Sequence, residues 1–261
     1  MGMDQSKGEG VESIAPSTWG TELLRATAFY PGKVPTEVSD WWQRVTGEPF
    51  SSRFPDPMAG GVVDEGLIPD GKLSLARTGQ RIDWVLSPND SVKPDAAGPS
   101  LGPLPEVLPK FLSLLSKWSP TSPAVKRLAI GGALFKPVND WTEGHSVIRG
   151  QLSDLALNLD GVRDFGVTIN RSRLSEAGVA ELTINRMLRW SAAPFTVFAF
   201  TVVDGRAVAK PQGGPQLQAR VELDINTAGD FPGEIPTDKI HPVLSELAAM
   251  AVKVPSEGDR A

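Results

Sequence analysis

One four-residue phrase occurs twice in the stretch VTINRSRLSEAGVAELTINRMLRW: Thr168-Ile169-Asn170-Arg171 returns as Thr183-Ile184-Asn185-Arg186. In an extended chain, side chains alternate between two faces. The first copy therefore sets Phe165, Val167 and Ile169 on one face and Thr168 and Asn170 on the other. The second sets Leu182, Ile184 and Leu188 against Thr183 and Asn185. Two half-apolar segments so close in sequence are expected to pair as an antiparallel hairpin, closed around residues 175 to 178. An in-phase register puts Ile169 opposite Ile184, Thr168 opposite Asn185 and Asn170 opposite Thr183, a polar ladder over an apolar one. A chain that carries this pattern must include antiparallel sheet with one buried face.

The surrounding segments extend the sheet. TELLRATAFY (21–30) reads as a strand, and KLSLARTGQRIDWVL (72–86) as a hairpin turning at Thr78-Gly79. AVKRLAIGGALF (124–135) reads as a strand with a bulge at Gly131-Gly132. Leu155, Leu157 and Leu159 alternate, and PFTVFAFTVVDG and LQARVELDIN continue a meander. Helices are expected over TEVSDWWQRVTG, capped by Thr36 and stopped by Gly47, with Trp41 and Trp42 at core spacing. A second is expected over LPEVLPKFLSLLSKW, with Pro109 in its first turn, a third from a Thr142 cap to about residue 154, and a fourth from Thr237 to about Val252. Residues 48 to 71, rich in Pro and Gly, read as an irregular excursion, and Gly213-Gly214 as a loop.

The fold class that follows is α+β: two β-α-β-β-α type halves, or one long sheet, mainly antiparallel with helices packed on one face. The expected organisation is a disordered tail over 1–18, an N-terminal unit over 19–87, a Pro/Gly-rich linker over 88–103, a C-terminal unit over 104–254 and a tail over 255–261.

Composition narrows the chemistry. The 261 residues include no cysteine, which removes disulfides, thiolate nucleophiles and Cys-based metal sites. The net charge of −5 gives no overall field for phosphate backbones. No apolar run approaches the roughly 20 residues that a membrane helix needs, and no hydrophobic leader opens the chain, so a cytoplasmic, membrane-free protein is expected. Gly2 followed by Ser6 fits the loose myristoylation pattern, but no polybasic segment accompanies it. No phosphate-binding loop, dinucleotide fingerprint, nucleophile elbow or zinc-helix motif is present, and no cofactor is implied.

Three sets of residues could carry a site. Arg171, Arg173, Arg186 and Arg189, with Asn170, Asn185 and nearby Arg163, form an anion patch offset by Asp164, Glu176 and Glu181. Guanidinium forks suit phosphate or carboxylate, and Trp190 could stack on a base. Pairing of Arg171 and Arg186 to internal carboxylates would remove that basis. His145 with Asp140 and Glu143 could hold a metal, although helix capping explains the two acids equally well. Asp83, Glu222 and Asp224 sit in strands and could hold a metal only if they share one face. His241, beside Pro242, reads as structural.

RIDWVLSP, RLAIGGALF, the acidic VELDIN strand and the closing amphipathic helix together resemble the sporadically distributed, uncharacterised bacterial protein family over about residues 20–253. The chain departs from that pattern at Ile130-Gly131-Gly132, where members carry Tyr and Asn. The resemblance implies the α+β fold, a patchy bacterial or mobile-element distribution, and no assigned activity. The preferred reading is a non-enzymatic protein acting through a protein partner, in a phage-defence or mobile-element setting. The alternatives are a nucleic-acid or nucleotide binder using the arginines, and a metal-dependent hydrolase using strand carboxylates.

Overall fold

The computed structural model describes residues 18–34, 40–56, 60–89, 98–152, 154–156, 158–203 and 206–260, with the main chain alone at 197–203, 206–210, 212 and 213. The expected N-terminal tail up to residue 17, the Thr36 cap, Leu157 and the middle of the expected linker lie outside the described residues.

Nine strands form one sheet in the order β2-β3-β4-β5-β1-β6-β9-β8-β7, and every pairing is antiparallel. Their spans are β1 Gly20–Phe29, β2 Ser52–Asp56, β3 Gly61–Ile68, β4 Gly71–Thr78, β5 Arg81–Ser87, β6 Arg127–Val138, β7 Gly166–Leu174, β8 Thr183–Val203 and β9 Arg206–Thr227. The helices are α1 Trp41–Thr46, α2 Leu104–Trp118, α3 Trp141–Gln151, α4 Thr237–Ala251 and the single turn α5 Val254–Glu257. Among the described residues no helix is long and apolar enough to cross a membrane.

The helices cover one face of the sheet, and the alternation explains which face. Leu24, Ala26 and Ala28 of β1 lie opposite Leu86, Trp84 and Ile82 of β5. On the other flank Ala26 meets Ile130, Ile130 meets Ile225, and Leu223 meets Leu188. These residues, with Leu108, Phe111, Leu115 and Trp118 of α2 and Ile240, Leu244 and Leu247 of α4, form one buried core. Each leucine, isoleucine or phenylalanine among them contributes about 1.5–3 kcal/mol through burial. The opposite face carries Arg25, Thr27, Asp83, Glu222, Asp224 and Asn226, the polar-out half of the same period-two pattern.

Several expectations are corrected. Residues 52–56 and 61–68 are strands, not an irregular excursion. Their departure from apolar alternation is absorbed by Asp64, fully buried and ion-paired to Arg53 and Arg77 on the flanking strands. Gly131-Gly132 is no bulge, because β6 runs in continuous register with β9 and the shift in the β1 ladder falls between Thr21 and Leu23. Gly132 is required small by Leu23 O and Leu24, 3.1 and 3.2 Å from where a Cβ would stand. Pro109 lies in the second turn of α2. Asp140, not Thr142, caps α3: its carboxylate accepts the Glu143 N–H at 2.8 Å, while the Glu143 carboxylate accepts the Asn139 N–H at 2.7 Å. Leu155 and Leu159 lie in turns rather than in a strand.

The expected linker does not divide two sheets, since β1 pairs with both β5 and β6. Its described end is tied to β1, with Leu101 N–H donating to Thr21 O at 2.8 Å and Thr21 N–H to Gly102 O at 2.9 Å. Nor is 255–260 a loose tail. α5 and a 3-10 turn over Gly258–Arg260 are docked against the core, with Val254, Gly258 and Asp259 buried.

Candidate functional site: an arginine cleft and a projecting ribbon

The doubled phrase forms the expected hairpin, but the register is displaced by four residues along the ladder. Ile169 lies opposite Leu188, Arg171 opposite Arg186, and Ser172 opposite Asn185. An even displacement keeps every residue on its face, so the asparagines still point away from the core. This register matches Val167 with Trp190 and Ile169 with Leu188, packing apolar side chains that the in-phase alternative would leave staggered. On the open face the Ser172 hydroxyl donates to Asn185 Oδ1 at 2.6 Å.

The arginine patch is thereby split. Arg189, Asn170 and Asn185 lie on the open face, where Arg189 is 3.9 Å from Glu222. Arg163 is exposed in the turn region before β7. Arg171, Arg173 and Arg186 lie on the helix side and line a cleft of about 680 Å³ between the hairpin and the C-terminal segment. Asp154, Glu176, Glu246, Lys253, Asp259 and Arg260 complete its charged wall.

The three cleft arginines are held by carboxylates. Arg171 donates from Nε and Nη2 to Asp259 Oδ2 at 3.0 and 2.5 Å. Arg186, buried, donates from Nη2 to the Asp259 main-chain oxygen at 2.5 Å. Its distance to Asp259 Oδ1 is 3.6 Å. Arg173 Nη2 sits 2.8 Å from Glu246 Oε1. Glu246 also accepts from the Ser175 hydroxyl at 2.6 Å and from the Glu176 N–H at 2.9 Å, which fastens the hairpin loop to α4. Burial pulls the Glu246 carboxyl upward, but the Ser175, Glu176 and Arg173 interactions outweigh it and hold it below the usual range. The hydrogen bond to Asp259 raises the Arg171 pKa, whereas burial lowers that of Arg186. Arg171 and Arg186 are thus both paired to one internal carboxylate.

Trp190 is fully buried, edge-on to Trp19 at 5.8 Å, and offers no face to a base. His145 is buried between Trp141 and Phe165, each 6.1 Å away. Asp140 and Glu143 are occupied in capping α3, so these three residues do not form a ligand set. His241 lies within α4. Asp83, Glu222 and Asp224 do share the open face, yet Asp83 is engaged by Thr27 at 2.5 Å and Arg81 at 2.6 Å. Among the described residues no group of three or more His, Asp or Glu side chains could hold a metal ion.

The second feature is the far end of the β8–β9 pair. β7 stops at Ser191 of β8, and β6 stops at Leu217 of β9. Beyond these points, among the described residues, the two strands pair only with each other, from Phe195 opposite Gln216 to Val203 opposite Arg206, with a slip between Phe195 and Val197 that takes in Gly213 and Gly214. Those glycines belong to a strand, not to a loop. The register groups positions 198, 200 and 202 with 211, 209 and 207 on one face, and the residues there are Phe, Phe, Val, Pro, Ala and Ala. The other face mixes Val197, Ala199, Thr201 and Val203 with Gln212, Lys210, Val208 and Arg206. Seven paired positions span about 24 Å at the usual rise per residue.

Sequence reasoning recognised these strands but not that they outrun their neighbours. The signal available was their length, 21 and 22 residues against 5 to 12 for the other strands. It also missed Asp259 and Glu246, because nothing local in sequence marks a carboxylate that meets its partner 70 to 90 residues away. Comparison with protein-family models gave no match for the chain, and neither did comparison with curated proteins.

Proposed function

We propose that this protein acts through a protein partner and that the β8–β9 ribbon is the arm that binds it. The observation that carries the reading is the register: a ribbon with one wholly apolar face and, among the described residues, no third strand on either side. A two-stranded hairpin alone in water is marginal, and it gains stability when a further strand or an apolar surface covers it. An apolar strand face left without a covering layer characteristically marks an interface. Arg206 and Lys210 on the other face favour a partner with an acidic rim.

The chain order is consistent with two halves, β1-α1, the β2–β5 meander and α2, then β6-α3, the β7–β9 meander and α4. The halves would join where β1 and β6 run side by side. In this reading only the second half extends its meander into an arm. The setting proposed for it is phage defence or a mobile element, the latter after the distribution that the sequence resemblance implies.

The test places a photocrosslinking residue at position 200 and, as a control, at exposed Leu67, in protein expressed in its native host. The expected result is a discrete adduct at 200, absent at 67 and absent when Phe198→Asp and Val202→Asp are added. Equal labelling at both positions, or none at 200, overturns the proposal.

A further inference from the structure

We propose that the Arg171–Arg186 cleft is an acidic-peptide site that the chain fills with its own C-terminal turn, Asp259 standing in for an aspartate of the true ligand. This is independent of the ribbon. The arrangement of the two arginines is unfavourable without an occupant. Arg171 and Arg186 are directly opposed across two strands, where like charges repel. Arg186 is 2 % exposed, so water does little to relieve it. One carboxylate answers both guanidiniums, and it comes from a short 3-10 turn near the end of the chain rather than from a core element.

The fit is incomplete. Arg186 Nη1 and Asp259 Oδ1 are both buried and, among the described residues, both lack a hydrogen-bond partner. Two guanidiniums present ten N–H donors in fixed planes. Asp259 takes two of Arg171's through its side chain and one of Arg186's through its main chain. An aspartate entering at a slightly different angle could engage Arg186 in a bidentate fork that Asp259 does not make. Past this pair the cleft carries Arg173, Lys253 and Arg260 against Asp154, Glu176 and Glu246, so with Asp259 displaced its five cations, Arg171 and Arg186 included, face three carboxylates.

The mode of docking also suits displacement. Gly258 adopts φ +62°, and a Cβ there would stand 2.2 Å from Gln151 O. The turn thus seats through a glycine whose conformation and space other residues resist. An element as small as this 3-10 turn of three residues belongs to the part of a structure that opens at low cost. A built-in occupant lowers the apparent affinity for an outside ligand in proportion to the time the site is free. A turn docked nine-tenths of the time weakens binding about tenfold.

The probe is a synthetic peptide of residues 253–260 (KVPSEGDR), with a control in which Asp is replaced by Asn. Binding to the full chain is measured by calorimetry for wild type, Asp259→Asn and, as a second way of releasing the turn, Gly258→Val. Circular dichroism confirms that each is folded. The expected result is binding of the Asp peptide to both variants, about tenfold tighter than to wild type. The Asn peptide should not bind, and adding Arg171→Met to either variant should abolish binding. Absence of peptide binding to every folded variant, or equal binding of the Asp and Asn peptides, overturns the proposal. So does binding of inorganic phosphate alone, which would make the cleft a small-anion site.

Discussion

Asp64 offers the sharpest test of how the free end of the sheet is held. The carboxylate has no solvent exposure. It accepts from Arg53 Nε at 2.5 Å and Nη2 at 3.0 Å, and from Arg77 Nη2 at 2.5 Å. The arginines differ: the Arg53 side chain is 42 % exposed and can turn to water, whereas that of Arg77 is 14 % exposed and cannot do so fully. Burial already lowers the Arg77 pKa, with the Asp64 charge opposing it. Asp64→Asn keeps the shape and removes the charge. Breaking a buried pair from one side costs about 3–5 kcal/mol, and the mobility of Arg53 argues for the lower end, about 3 kcal/mol. For a domain of this size, about 2–4 °C per kcal/mol gives a fall in Tm of about 6–12 °C. Urea unfolding followed by tryptophan fluorescence and circular dichroism measures it. Adding Arg77→Met to Asp64→Asn should recover a good part of the loss, since an apolar replacement no longer needs a counter-charge. A single-variant loss below about 1 kcal/mol, or a double variant less stable than the single, refutes the reasoning.

Other outcomes follow from the same geometry. Burial pushes the Tyr30 phenol well above its ordinary pKa, only partly offset by the Ser122 hydroxyl 2.9 Å away; the neutral form is favoured in the fold, so stability is full below about pH 10 and falls above it as the unfolded phenol ionises, a fall that Tyr30→Phe should reduce in a pH-dependent melting series. Glu246, held below the usual carboxylate range, should stabilise the fold above about pH 4.5 and lose that contribution as pH drops further; the Tm gap between wild type and Glu246→Gln should therefore be open at pH 6 and close toward pH 3. In this cysteine-free chain, Ser172→Cys with Asn185→Cys should form a disulfide under mild oxidation, while Thr168→Cys with Asn185→Cys should not; the reverse result would restore the in-phase register.

Much of the sheet was legible because period two survives in single segments. Leu73 and Leu75, Ile82, Trp84 and Leu86, and Ile184 and Leu188 mark their faces without help from distant residues, and all are buried. The helices were legible from their apolar stripes, with errors at the ends that reflect capping chemistry: Asp140 and Thr142 are both competent caps, and the reciprocal contact with Glu143 decides for Asp140. What sequence concealed depends on long-range pairing. β2 and β3 look irregular because their core-facing residue is an aspartate, acceptable only once two arginines from neighbouring strands enclose it. The hairpin faces were readable while its register was not, because a four-residue displacement preserves the faces and only cross-strand packing separates the two. At the site, sequence identified Arg171, Arg173 and Arg186 as a cluster but placed Arg189 and the asparagines with them. Their residue parity already assigns Arg189, Asn170 and Asn185 to the other face. The docked C-terminal turn was hidden by its polar composition, which resembles a tail until Asp259 meets its arginines.

Amide hydrogen exchange over residues 197–203 and 206–212 examines the central claim most directly, comparing the isolated protein with the complex recovered through the position-200 crosslink site. A ribbon with no flanking strand among the described residues should exchange rapidly in the isolated protein, far faster than β1 or β6, and become protected in the complex. Protection equal to that of β6 in the isolated protein, or unchanged exchange once the partner is bound, would contradict a partner-binding arm.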